Sequence, residues 1–169
     1  EAYMNNDIMK LLRNLGLKAD SSCIPGRKRK DKEKFFDWSV APNKPYFPSK
    51  FNYQLNDTNQ KKFLEIPMNT ISTKCSYDKS FLLRYANLAF KNQVIYNGLK
   101  EYIEKNNLLV TISHPYEFFE KFNNNNDLLS NNLNSLEKNI NTIVKICKDL
   151  KKEVRFIRIN EIINDFLNE

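Results

Sequence analysis

A single histidine occurs in the 169 residues, His114. It closes the apolar run 108–113 and is followed at once by Pro115. Imidazole exchanges protons near neutral pH, which suits general acid–base work. The proline imposes an extended backbone on the residue before it and so limits where the ring can go. A surface histidine without chemistry is the competing reading. Two carboxylates are the other reactive candidates: Asp20, in Asp20-Ser21-Ser22, and Glu65, in Leu64-Glu65-Ile66-Pro67. As a pair they would suit glycoside hydrolysis, which needs about 5–10 Å between carboxyls. Taken separately they read as a turn former and a solvated strand residue. Trp38, Tyr46 and Phe47 can stack on sugar faces or fill a small core, and Tyr116, two residues beyond the histidine, is a further candidate for substrate contact. Cys23, Cys75 and Cys147 form no C-x-x-C and no cluster with the histidine, so neither a zinc site nor a disulfide framework can be read. This chain by itself is expected to hold no catalytic metal.

Asn5 or Asn6 can cap a helix running to about residue 15, with Ile8, Leu11, Leu12 and Leu15 on one face and Gly16 as its stop. Strands are expected at 17–22, 63–68, 108–113 and 154–157, the third apolar enough to be buried on both faces. Further helices are expected at 79–105, with a break near Asn92 or Gly98, at 133–152 and at 159–167. The second of these shows Leu136, Ile140, Ile143, Val144 and Cys147 on one face, and Asn160 is the cap expected for the third. Residues 23–59 hold four of the six prolines and read as one long loop packed by its aromatics. Residues 123–126 read as a polar linker. Helices alternating with strands argue for a parallel α/β arrangement of about four strands, too few to close a barrel. Ligands in such folds meet the carboxyl ends of strands, which would set Asp20, Glu65 and His114 on one rim.

Hydrophobic residues make up 41% of the chain, enough for a core and too many for wholesale disorder. No apolar run reaches the roughly 20 residues of a membrane helix, and no basic-then-apolar leader is visible. Three reduced thiols suit a cytoplasmic-type protein. The compartment stays open, because an amphipathic pattern already running at Asn5 points to a truncated amino terminus. The net charge is +7, from 27 basic and 20 acidic residues. More than half of the excess falls in 27–34, so nucleic acid is not the favoured partner. The run reads as a solvated loop dispensable for the fold, with contact to a polyanion or acidic glycan as the alternative.

The run from Gly16 to Gly26 resembles the G-x-x-x-D-S-S-x-x-P-G stretch of polysaccharide deacetylases of the NodB-homology type. Asp37-Trp38, Ala41-Pro42 and Pro45-Tyr46 fit the long substrate-side loop of some members, here 23–59. Leu64-Glu65-Ile66-Pro67-Met68 is similar to their L-E-I-P strand, and Ile112-Ser113-His114-Pro115 to their Leu-x-His motif. The resemblance spans residues 16–117. It implies that 1–169 is the carboxyl-terminal half of a distorted (β/α) barrel, a hydrolase that removes N-acetyl groups from a glycan with a divalent, zinc-type metal. His114 would be the acid that protonates the departing amine, Asp20 the acidic residue that tunes the site, and Trp38, Tyr46, Glu65 and Tyr116 would meet the acetylated glycan. The family's Asp-Asp and His-x-x-x-His motifs are absent here, so the metal and the missing amino-terminal half of the barrel would belong to a longer parent protein. A degenerate deacetylase or a non-catalytic glycan- or polyanion-binding module is the alternative.

Overall fold

The structure, a computed structural model, describes residues 3–30, 35–119 and 127–167. It is a mixed helix-and-strand chain with small open sheets. The chain divides into two compact units, one made of Glu1–Thr70 with Phe156–Glu169, the other of Ile71–Arg155.

In the first unit, helix α1 (Asn6–Asn14) starts where expected: the Asn5 side chain accepts the Ile8 N–H at 2.8 Å, a polar N-cap. It ends at Gly16, whose φ of +77° is the left-handed stop that glycine tolerates. The buried face differs from the expected one. Met9 is buried and Ile8 and Leu12 are half-buried in the unit's core, while Leu11 and Leu15 face solvent. Strand β1 (Ala19–Asp20) follows this helix along the chain and precedes a hairpin of β2 (Lys28–Lys30) and β3 (Phe35–Asp37), antiparallel with Arg29 opposite Phe36. The basic run is therefore not simply a loop. Lys28–Lys30 is a strand, and the Lys28 ammonium meets Asp37 at 2.6 Å; residues 31–34 lie outside the described residues. The rest of 23–59 is packed by aromatics: Phe36, Trp38, Tyr46 and Tyr53 are buried together with Cys23 and Phe63.

Strand β4 (Leu64–Glu65) pairs with β1 in parallel, Ala19 opposite Leu64 and Asp20 opposite Glu65. The Leu64, Ile66 and Met68 amides donate in turn to the carbonyls of Lys18, Asp20 and Cys23. Alternate residues face the other way, where Glu65 exchanges both backbone hydrogen bonds with Tyr46. Pro67 falls on that second side, one step past the last bond, so its missing N–H costs nothing. Helix α4 (Ile159–Leu167) packs on β4. It begins one residue before Asn160, and the Glu161 side chain accepts the Arg158 N–H at its start.

The second unit opens within β5 (Thr70–Thr73), which pairs with β6 (Leu82–Tyr85). Neither strand was expected. The region 79–105 is helical only from α2 (Asn92–Lys105) onward. Helix α3 (Asn134–Asp149) packs against α2, and Ile95, Leu99, Ile103, Ile146 and Cys147 form the seam with Phe90, Leu128 and Leu129. On α3 the inward face includes Asn139, fully buried, which donates to the carbonyls of Leu88 and Phe90 and accepts from Asn92. Val144, expected inward, is exposed.

Two expected strands do not form. Residues 108–113 run without a ladder: Ile112 N–H reaches the Ala86 carbonyl at 3.1 Å and Leu88 N–H the Ser113 hydroxyl at 2.9 Å. Both bonds go to the segment directly after β6, and residues 108–113 are half-buried, not covered on both faces. Residues 154–157 are likewise irregular. The linker 123–126 lies outside the described residues. The parallel pairing seen among the described residues is that of β1 with β4.

Candidate functional site

Glu65 is the centre of the first unit's polar cluster. It stands between β1 and the Tyr46 segment, which hydrogen-bonds its backbone on both sides, and its side chain is fully buried. Its Oε1 accepts the N–H groups of Ser22, at 3.1 Å, and Cys23, at 2.9 Å. The Ser22 N–H is shared with Asp20 Oδ2, at 2.9 Å, in a tight Asx turn. The chain leaving β1 therefore curls around both carboxyls. Ser21 takes no part in this: its hydroxyl donates to the Ile66 carbonyl at 2.7 Å.

Burial pushes the Glu65 carboxyl well above the usual range, the neighbouring Asp20 charge adds to the rise, and the two backbone donors only partly offset it. The same surroundings act on two weaker acids. Burial, with Glu65 nearby, raises the Cys23 thiol, so it is not a nucleophile at neutral pH. Burial also raises the Tyr46 phenol, which lies against Cys23 and donates to the Tyr53 carbonyl at 2.9 Å.

These positions correct several sequence expectations. Glu65, Trp38 and Tyr46 all lie below 5% exposure. Trp38 meets Tyr53 edge to face at 4.9 Å between ring centroids, inside the core. Neither aromatic ring has a face free for a sugar, and Glu65 has no route to a substrate. Asp20 is half-buried at the strand end. The Asp20 and Glu65 carboxyls share one donor, the Ser22 N–H, and the burial of Glu65 leaves the pair unable to flank a glycosidic bond.

His114 belongs to the second unit. It precedes a 3-10 turn, Pro115–Phe118, and its own N–H donates to Glu117 Oε2 at 2.7 Å. The buried Glu117 oxygen also accepts from Asn87 at 2.9 Å. The imidazole stacks parallel to the Tyr116 ring at 5.3 Å, and Tyr116 is exposed. The second unit thus presents an imidazole on a pinned backbone beside an accessible phenol ring, an arrangement able to pass a proton to a bound group. Ser22, Cys23, Asn87 and Glu117 were missed as members of these clusters. Glu117 alone carried a readable signal, an acid three residues after the start of a turn, the spacing of a capping box.

Among the described residues no three His, Cys, Asp or Glu side chains are grouped to hold a metal ion. Asp20 and Glu65 offer two carboxyls, one of them sealed from solvent, beside a thiol that resists deprotonation, and this set does not fit a divalent zinc-type ion. Among the described residues no helix is long and apolar enough to cross a membrane. In comparison with known proteins, the chain matches no family model, no curated protein and no solved structure.

Proposed function

We propose that this chain is the carboxyl-terminal part of a polysaccharide deacetylase-type (β/α) barrel, hydrolysing the C–N bond of an N-acetylated sugar. One observation carries the reading: β1 and β4 pair in parallel, in register, with Asp20 opposite Glu65 at their carboxyl ends. Parallel strands with polar groups at those ends are the arrangement from which (β/α) barrels build active sites. The motif stretches from Gly16 to Gly26 and from Leu64 to Met68 are the two segments that meet there.

In this reading His114, as imidazolium, gives its proton to the amide nitrogen as the C–N bond breaks. The acetyl group leaves on a water-derived oxygen as acetate, and the free amine remains on the sugar. An amide nitrogen is a poor leaving group unless protonated, and positioned acid catalysis is worth roughly 10²–10⁴-fold. Tyr116, exposed beside the imidazole, is the residue assigned to meet the sugar. Trp38 and Tyr46 keep the loop 23–59 in shape instead of touching substrate. A zinc-type metal, where the enzyme carries one, belongs to residues other than those described here.

The test is acetate release from N-acetylated oligosaccharides by the protein in its full natural length. Release that falls about 10²–10⁴-fold in His114→Ala, with the melting temperature kept, is the expected result. A folded protein that releases no acetate, or a variant with full turnover, removes the catalytic reading and leaves a glycan-binding or degenerate module.

A further inference from the structure

Glu65 Oε2 is buried and has no hydrogen-bond donor, although Oε1 of the same carboxyl has two. A carboxylate oxygen left bare in a sealed interior is strongly disfavoured, so its environment must supply a proton. The neighbouring carboxyl is Asp20, whose Oδ2 accepts the same Ser22 N–H as Glu65 Oε1 and which as a carboxylate can only accept. Two ionised carboxyls in that position would repel each other. One proton between them converts the repulsion into an O–H···O⁻ hydrogen bond and satisfies Oε2. We propose that Asp20 and Glu65 share a single proton at neutral pH, with Glu65 the neutral buried acid and a positioning residue for Asp20.

The surroundings favour that assignment over the reverse. Glu65 is fully buried, whereas Asp20 is half-buried and its Oδ2 already accepts the Ser22 N–H. Cys23 and Tyr46, the other titratable groups packed around Glu65, are both held neutral by burial. From α4, which packs on β4, come the acidic residues Glu161 and Asp165; a negative charge from either would only strengthen the hold on the proton. Among the described residues no ion pair reaches Glu65. In the deacetylase reading, on which the positioning role rests, the neutral acid donates to Asp20 and aligns it at the strand end.

The pH consequence has a definite sign. The unfolded chain releases the Glu65 proton near 4.5, while the folded chain keeps it to higher pH. Stability from this group is therefore complete below that value and falls as pH rises through the folded-state pKa. Glu65→Gln copies the neutral acid, accepting from Ser22 and Cys23 and donating to Asp20, and cannot titrate. Its melting temperature should equal that of the wild type near pH 4.5 and exceed it progressively toward pH 8. Every group that does not interact with Glu65 cancels in that difference.

Infrared difference spectra at pH 7 give a second reading on the folded wild type itself. The wild type should show the C=O stretch of a protonated carboxyl that Glu65→Gln lacks, and Asp20→Ala should shift that band because the O–H loses its acceptor. No protonated band, an unmoved band in Asp20→Ala, or a melting difference flat with pH would each overturn the shared proton. Neither measurement involves acetate release, so the outcome stands apart from the fate of the deacetylase reading.

Discussion

Asp37 and Glu65 are both strand carboxylates, and their surroundings drive them in opposite directions. Asp37 accepts from the Lys28 ammonium at 2.6 Å and from the Ser39 hydroxyl and N–H, and its carboxyl falls to about 2. A lowered carboxyl stabilises the fold above the ordinary value of 3.8 and loses that contribution as pH falls toward 2. Because Lys28 is largely exposed, solvent screens the pair and limits it to about 1 kcal/mol or less. Lys28→Ser should cost no more than that at pH 7 and should flatten the acid limb of a urea-midpoint titration between pH 4 and 2. A larger loss would show that the hairpin depends on this contact. The sequence put Asp20 and Glu65 at strand ends correctly. It could not show the burial of Glu65, because that depends on Tyr46, 19 residues earlier in sequence, bonding its other backbone edge.

Elements with a long apolar period were the legible ones. The Asn5 cap, the Gly16 stop and the two helices that close the sequence lie close to where periodicity sets them. The strands were poorly legible because they are two to four residues long, too short for alternation to emerge. Residues 108–113 show the opposite error: a β-branched apolar run that lies half-buried and irregular despite its composition. Gly98, expected as a possible break, sits unbroken inside α2, and the reason is spatial. A Cβ there would stand 2.7 Å from Ile71 Cδ1 and 3.0 Å from Ile71 Cβ, and Ile71 is buried. Alanine improves helix propensity by about 1 kcal/mol, while overpacking costs about 1–3 kcal/mol. Gly98→Ala should therefore lower stability by up to about 2 kcal/mol in chemical denaturation. Adding Ile71→Val should recover part of the loss, and a more stable single variant would show that β5 yields freely.

At the scale of the whole molecule, the first unit is discontinuous: 1–70 is completed by 156–169, through the packing of α4 on β4. The second unit is one uninterrupted stretch, 71–155. Removing the residues after Arg155 should abolish slow amide exchange at β1 and β4 while α2 and α3 keep their protection. Equal loss in both units would show that they unfold as one. The same layout bears on synthesis. Residues 1–70 are translated before the second unit and the helix that covers β4 after it, roughly 5–20 s later at ordinary elongation rates. Throughout that interval the second unit can close on itself, whereas the part of β4 that α4 covers stands open, which makes that segment the natural target for chaperones on the nascent chain.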